Sequence, residues 1–282
     1  MANALDLRRR IKGIKNIQKI TQAMKMVAAV RLRKAQERVK DNHPYCQGLE
    51  TAIVSVLNRG EDIRNQLFSK REVFRTGYLV IGADKGLAGS YGSNLGKAVQ
   101  YHIGGNKHVG LVVVGRKVRD YFERRKVAVD KAYLGISEKP HYRYARDIST
   151  AVTELFTQGK YDRLYLVYTR FCSPAVQQVA IEPILPIAVE ADSDRPVIEQ
   201  IYDPSFERIS GEVVAKWLEA MVYRALIHAA ASEVAARLHA MSLATDNAQD
   251  LISQLVLAYN KVRQANITRE ITEIVGGAEA LR

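Results

Sequence analysis

The C-terminal quarter of the chain contains an unusually long stretch with no residue that would end a helix. No proline follows Pro204, and no glycine lies between Gly211 and the Gly276-Gly277 pair. Residues 212–275 therefore predict one uninterrupted helix, which would be about 95 Å long at the usual rise per residue. Since that length exceeds the width of a compact domain, the helix cannot be an ordinary core helix.

This stretch also carries a narrow apolar stripe with the spacing of a coiled coil. Steps of four and three residues alternate along it. Polar residues interrupt the stripe at Arg224, Thr245 and Asn266, where we expect the helix to change partner or to pair loosely. Beyond Asn266 the apolar residues shift to Ile267, Ile271 and Ile274, so the tip should face a different partner. The stripe comprises Val213, Trp217, Ala220, Arg224, Ile227, Ala231, Val234, Leu238, Met241, Thr245, Ala248, Ile252, Leu255, Tyr259, Val262 and Asn266.

Residues 1–57 predict a second long helix, with a kink expected near Pro44. Two long helices at opposite ends of a chain, each with an unpaired apolar stripe, can satisfy each other by pairing. Because the intervening segment must then be inserted at one end of the pair, the helices are predicted to be antiparallel. The predicted stripe of the first helix is Ile11, Ile14, Ile17, Ile20, Met24, Val27 and Ala28.

Most of the positive charge lies on this first helix. The chain has a formal charge of +12, and residues 1–40 hold twelve Lys and Arg against two acids, a local charge of +10. A solvated helix face is the common explanation of such a run, but acidic residues usually alternate with basic ones there. An acidic partner surface explains the imbalance better. A nucleic-acid-binding helix is the alternative, although the face lacks interleaved aromatics. The face comprises Arg8, Lys12, Lys15, Lys19 and Arg33.

The middle of the chain changes to short apolar runs that alternate with helical segments. This alternation over residues 75–195 predicts a Rossmann-like α/β domain inserted between the two helices. The predicted division is therefore 1–57, 75–195 and 208–282, with a loop or frayed helix end at 58–74 and a link at 192–204. Strands are predicted at 78–81, 109–114, 163–168 and 175–181, and helices at 93–101, 117–125 and 147–157, the last capped by Asp147.

A glycine-rich segment, residues 82–97, follows the first strand at the place where nucleotide phosphates often bind. Its glycines are spaced GxxGxxG rather than GxGxxG, and Ala98 stands where a phosphate-binding loop has Ser or Thr. We therefore favour a tight turn that lets strand and helix approach. No nucleophile, catalytic triad or metal-ligand spacing was found, so we predict no catalytic residue, no cofactor and no metal.

Cysteine content and hydropathy bear on location. Cys46 and Cys172 are far apart with no CxxC motif, which indicates free thiols in a reducing compartment. No apolar run is long enough to predict a transmembrane helix. The Arg-rich N-terminus could be a transit peptide, but its helical pattern is unbroken and lacks a small-residue cleavage signal, so we favour a mature bacterial-type N-terminus.

Both ends of the chain carry distinctive sequence blocks, residues 10–29 and ITREITEIVGGAEA at 267–280. These blocks resemble the opening helix and the C-terminal signature of the gamma-subunit family of the F-type ATP synthases. MSLATDN at 241–247, YNKVRQA at 259–265 and GLAG at 86–89 also resemble family blocks. Ala88 and Gly92 depart from the Cys and Asn frequent there. The cysteine insert of chloroplast members is absent, so thiol regulation is not expected.

The resemblance implies a non-catalytic rotor subunit, present as one copy per complex. The helix pair would turn inside a hetero-hexameric ring of alpha and beta subunits, and the α/β domain would rest with the epsilon subunit on the c-subunit ring. Proton flow would drive ATP synthesis at the cytoplasmic face of the bacterial plasma membrane, to which the chain would be peripheral, with no nucleic-acid partner. By motif position the implied beta-subunit contacts are Met24, Lys25, Lys85, Ala88, Arg237, Gln264, Thr268 and Glu270.

Overall fold

The computed structural model describes residues 4–58, 66–69, 71–187 and 206–279. The predicted fold class is confirmed, because long N- and C-terminal helices pair antiparallel and an α/β domain is inserted between them. The helices are α1 (Ala4–Asn58), α2 (Tyr91–Ile103), α3 (Arg116–Glu123), α4 (Tyr142–Thr157) and α5 (Phe206–Glu279), with a 3₁₀ turn at Gln66–Phe68. The strands are β1 (Thr76–Ile81), β2 (Val109–Val114), β3 (Val129–Tyr133), β4 (Arg163–Phe171) and β5 (Gln177–Leu185).

The chain divides into two compact units. The helix-pair unit contains the described residues of Met1–Ala28 and Arg237–Arg282, and the sheet unit contains those of Ala29–Ala236. The domain limits 1–57, 75–195 and 208–282 stay predictions, and the predicted link at 192–204 lies outside the described residues. Pro44 lies inside the continuous helix α1.

In the helix-pair unit, side-chain contacts fix the direction of pairing. The Gln18 amide donates to Gln249 Oε1 at 2.8 Å, and the Thr245 hydroxyl donates to Thr21 Oγ1 at 2.9 Å. As α1 advances from residue 18 to 21, its partner on α5 moves back from 249 to 245. The two helices are therefore antiparallel here, as predicted.

The seam on α5 follows the predicted spacing within this unit, whereas the stripe predicted for α1 is partly wrong. Met241, Ala248 and Ile252 are buried, as predicted for α5. On α1, Ile17, Ile20 and Val27 are more than half exposed. A coiled-coil seam is narrower than an apolar helix face, and polar residues occupy three of its positions. The observed α1 seam is Leu7, Ile11, Ile14, Gln18, Thr21, Lys25 and Ala28.

The sheet unit is built on a five-stranded sheet in the order β3-β2-β1-β4-β5. The first four strands are parallel, and β5 runs antiparallel to β4 at one edge. Strands β1 and β2 are buried along almost their whole length and consist mainly of apolar residues, because both of their faces are covered. This is the Rossmann-like arrangement that the alternation of strands and helices predicted.

Each face of the sheet has its own apolar core. On one face, Val80 and Val113 pack with Leu95 of α2 and Phe122 of α3. On the other, Leu79 packs with side chains of α4, of the C-terminal part of α1 and of the N-terminal part of α5, including Phe156, Ile53, Trp217 and Leu226. Helix α5 is buried on nearly all sides from Trp217 to Ala235, since it contacts both α1 and the sheet.

Several predicted elements differ from the observed ones. Helix α4 begins at Tyr142, directly after Pro140 and His141, so Asp147 lies inside the helix and does not cap it. Strand β3 was not predicted. It lies at the sheet edge, and its polar residues Asp130 and Lys131 interrupt the apolar pattern. Of residues 58–74, the described part contains the 3₁₀ turn and not a simple loop.

Candidate interaction surfaces

The outward face of α1 in the helix-pair unit combines positive charge with exposed aliphatic side chains. We call it the outer α1 surface. No ion pair forms between its basic residues and any described residue. Arg33, the fifth residue of the predicted basic face, lies in the sheet unit and pairs with Glu37 at 3.4 Å. Unpaired cations and exposed aliphatics on the same helix are typical of a binding surface for an acidic partner. The surface comprises Arg8, Lys12, Lys15, Ile17, Lys19, Ile20 and Val27.

The last part of α5 has no partner helix within the described chain. Gln18 of α1 lies opposite Gln249 of α5. Ala4, the first described residue of α1, is fourteen residues before Gln18, so at this register it lies opposite Arg263, fourteen residues after Gln249. In keeping with this register, residues 263–278 are all exposed. They carry a stripe at helical spacing, which we call the apolar tip: Ile267, Ile271, Ile274 and Val275. The tip therefore presents an unpaired apolar face, as the shift of pattern after Asn266 predicted.

In the sheet unit, the loop after β1 is organised by the carboxylate of Asp84. Its Oδ1 accepts hydrogen bonds from the backbone N–H groups of Arg116 at 3.0 Å and Gly135 at 2.9 Å, and its Oδ2 accepts one from Ser137 N–H at 3.0 Å. The Ser137 hydroxyl accepts a fourth bond, from the Asp84 N–H at 2.9 Å. Asp84 thus ties together the segments that follow β1, β2 and β3.

The electrostatics of Asp84 explain why this loop differs from a phosphate-binding loop. Burial raises the pKa of the carboxyl, but the hydrogen bonds from Gly135, Ser137 and Arg116 outweigh it, and the net pKa is lowered. The Arg116 N–H belongs to the first residue of α3, where the helix end attracts an anion. The chain's own carboxylate fills the anion position at this helix end.

Close packing accounts for two glycines of the segment. A Cβ on Gly82 would lie 2.1 Å from Val118 Cγ2, and one on Gly96 would lie 2.5 Å from the Tyr121 ring. The tight approach of strand and helices predicted for residues 82–97 is therefore observed. In the turn itself, Leu87 and Gly89 have φ angles of 63° and 56°.

Leu87 is the most unusual residue of this turn. A non-glycine residue at positive φ is uncommon and usually costs free energy. Its side chain is nevertheless 60% exposed, whereas Ala88 is only 7% exposed and packs with Ala83, Tyr91 and Ala236. The turn therefore presents Leu87, and not Ala88, to the outside.

An ion-pair cluster lies beside the turn. Lys85 Nζ is 2.9 Å from Glu138 Oε2, and Arg31 of α1 lies 3.5 Å from Glu138 Oε1. The cluster joins α1, the turn and the segment after β3. Since Lys85 and Arg31 are both well exposed, the pairs contribute little stability by themselves and serve mainly to orient these side chains.

The structure places the eight residues implied by the resemblance in different settings. Met24 and Lys25 are half-buried on α1, and Lys85 and Ala88 share the turn after β1. Arg237 is buried on α5. The other three, Gln264, Thr268 and Glu270, are exposed in the last part of α5. There the Thr268 hydroxyl donates a hydrogen bond to the Gln264 carbonyl at 3.0 Å. The sequence alone did not identify Asp84 or Leu87. For Asp84 a signal was available, because it is an acidic residue three positions beyond a buried strand.

Comparison with known proteins agrees with this architecture along the whole chain. A family model described as ATP synthase matches residues 3–281. The ATP synthase gamma chain of Heliobacterium modesticaldum is 42% identical over 100% of both chains, and that of Desulfitobacterium hafniense is 42% identical over 100% of both. The chain belongs to the ATP synthase gamma-chain family. A third relative, from Acetobacterium woodii, is named a sodium ion specific gamma chain and is 38% identical over 99% of both chains.

Solved structures show that the gamma-chain fold is shared with distant relatives. A chain of the Euglena gracilis mitochondrial ATP synthase, in a structure of OSCP, F1 and the c-ring, superposes with a TM-score of 0.74 at 19% identity. The match covers 99% of this chain and 94% of that one. Within the described part of this gamma-family chain, no helix has an apolar stretch long enough to cross a membrane.

Proposed function

We propose that this chain is the rotating central-stalk subunit of an F-type ATP synthase and that it transmits torque between a membrane c-ring and a catalytic alpha/beta ring. The observation that carries the proposal is the pair of unpartnered surfaces on the helix-pair unit, in a chain that belongs to the gamma-chain family. An axle must present faces to the subunits around it, and the outer α1 surface and the apolar tip are such faces.

The two surfaces suit different parts of that ring. The outer α1 surface carries both cations and aliphatic side chains, so it suits an acidic lever segment of the beta subunit. The apolar tip lacks a partner in the described chain and suits a sleeve of alpha and beta residues, where aliphatic contacts slide more readily than ion pairs. The epsilon subunit and the c-ring are proposed to bind the sheet unit.

The eight residues implied by motif position remain proposed beta contacts, with one refinement. Because Ala88 is buried, its turn would contact the lever through Leu87 and through Lys85 beside it. Buried Arg237 would reach the beta subunit only after a change in its packing. The exposed contacts proposed on α5 are Gln264, Thr268 and Glu270.

The proposed role is mechanical, and the chemistry of ATP would take place on other subunits. Asp84 holds three backbone N–H groups together and is not placed as a catalytic acid. The proposed location is the cytoplasmic face of a bacterial plasma membrane, with the chain peripheral to it. The proposed driving ion is the proton. Sodium is the alternative favoured by the Acetobacterium relative, and a dependence of ATP synthesis on added Na⁺ would separate the two.

Assembly with alpha and beta subunits tests the proposal. We expect the purified chain to form a complex containing one copy per alpha/beta hexamer, with ATPase activity. The variant Lys12→Glu on the outer α1 surface should weaken assembly or coupling by introducing repulsion against an acidic partner, while Lys97→Glu on α2, an exposed site in the sheet unit, should not. Failure to form a stoichiometric complex, together with salt-sensitive binding to generic DNA, would favour the nucleic-acid alternative.

A further inference from the structure

A groove of about 280 Å³ in the sheet unit lies between α1, α5 and the segment that follows β3. We call it the basic groove. Its α1 wall and its α5 wall each use residues spaced three and four apart, so each wall is a single helix face. The lining residues are Arg31, Lys34, Ala35, Arg38, Glu138, Lys139, Pro140, Ile227, Ala230 and Val234.

The rim of the basic groove carries excess positive charge. Four cationic side chains line it against one carboxylate, so its formal charge is +3. The single acid, Glu138, is already engaged by Arg31 and Lys85. Among the described residues, Lys34, Arg38 and Lys139 have no ion-pair partner, and all three are exposed. The rim therefore has cations available to bind an added anionic group.

The floor of the basic groove is aliphatic. Ile227, Ala230 and Val234 follow one another along α5, and Ala35 faces them from α1. From Ile227 to Val234 the stripe extends roughly 10 Å along the helix. None of the described lining residues is aromatic, so the groove offers no flat surface on which a base or a sugar ring could stack.

We propose that the basic groove binds a linear alkyl carboxylate, with the alkyl chain along Ile227, Ala230 and Val234 and the carboxylate at Lys34, Arg38 and Lys139. The narrow aliphatic floor favours a slim chain, whose burial supplies the hydrophobic part of the affinity. The cations at the rim supply the electrostatic part. A small inorganic anion would use the rim alone, and an acidic peptide would use the rim without filling the floor. The proposal does not depend on the rotary role of the chain.

Titration calorimetry with decanoate on the full-length chain tests this site. We expect saturable binding of one decanoate per chain, with acetate at least tenfold weaker because it cannot reach the floor. The paired change Lys34→Gln with Arg38→Gln should weaken decanoate binding at least tenfold, and Ala35→Leu should do the same by filling the groove. The matched control is Lys15→Gln with Lys19→Gln, two exposed cations of α1 in the helix-pair unit, which should leave binding unchanged.

Four results would contradict the proposed decanoate site. The proposal is overturned if decanoate does not saturate, if acetate binds as tightly, or if the control pair weakens binding as much as the groove pair. It is also overturned if a glutamate-rich peptide binds more tightly than decanoate and loses affinity in the same variants, since the groove would then be a peptide site. Circular dichroism checks that each variant is folded, and Lys139→Gln in the loop replaces the paired variant if that one is not.

Discussion

The variant Ile252→Asp is expected to separate the two helices of the helix-pair unit and to abolish coupling between ATP hydrolysis and rotation. Ile252 is only 6% exposed and lies one turn beyond Gln249, whose amide oxygen accepts a bond from Gln18. A carboxylate there must either lose its hydration or push α1 away. We expect a loss of about 3 kcal/mol in the free energy of helix pairing, after the lost aliphatic burial is included.

Hydrogen exchange measures this loss directly. A destabilisation of about 3 kcal/mol should speed amide exchange in the helix-pair unit by roughly a hundredfold. The matched control is Leu257→Asp, on the same helix but 72% exposed, for which exchange should change little. Equal effects of the two variants would show that residue 252 does not lie in a buried seam, and the pairing described for α1 and α5 would be wrong.

The variant Asp84→Asn is expected to destabilise the sheet unit by about 2 kcal/mol at neutral pH. An amide in place of the carboxylate removes the charge and turns one acceptor oxygen into a donor that faces backbone N–H groups. Charge-assisted bonds to a carboxylate are individually strong, but the partial exposure of Asp84 reduces what their loss costs. Denaturant unfolding of the wild-type chain and of Asp84→Asn measures this difference in the free energy of unfolding.

The stability difference between the wild type and Asp84→Asn should shrink as the pH falls. Since the pKa of Asp84 is lowered in the folded chain, the folded state favours the charged carboxylate. The stabilisation is fully present above the pKa of an unfolded aspartate, about 3.9. It disappears as the pH falls through the lower folded value, so the gap between wild type and Asp84→Asn should close in acid.

Asp120→Asn is the control for the loss of a charge. Asp120 lies on α3 on a partly exposed surface and, among the described residues, forms an ion pair only with the adjacent Arg119, so its replacement should change stability by less than about 0.5 kcal/mol. A stability gap for Asp84→Asn that persists unchanged at low pH, or one no larger than for Asp120→Asn, would contradict the hydrogen bonding described for Asp84.

The long helices could be predicted because the signals that end a helix are local. The absence of glycine and proline over residues 212–275 is visible without knowledge of any tertiary contact. The face of α1 that pairs could not be assigned in the same way. Ile17, Ile20 and Val27 look like core residues, but they lie outside the seam, while Gln18 and Thr21 lie within it. An apolar residue destined for another subunit carries the same pattern as one destined for the core.

In the sheet unit, too, some features could be predicted from the sequence and others could not, for different physical reasons. Strands β1 and β2 are covered on both faces, so their unbroken apolar runs identify them. Strand β3 is an edge strand with polar residues on its exposed side, and no apolar run marks it. The role of Asp84 depends on backbone N–H groups at Arg116, Gly135 and Ser137, which lie more than thirty residues away in the chain. Only the fold brings these groups together.

Observation of rotation in single complexes tests the torque proposal most directly. Cys172 is exposed and Cys46 is buried, and burial raises the pKa of the Cys46 thiol, so a maleimide linker should attach a bead at Cys172 alone. With the alpha and beta subunits fixed to a surface, the account predicts that ATP drives the bead around in one direction and that it stops when ATP is removed. Complexes that hydrolyse ATP at the full rate while the bead stays still would contradict it.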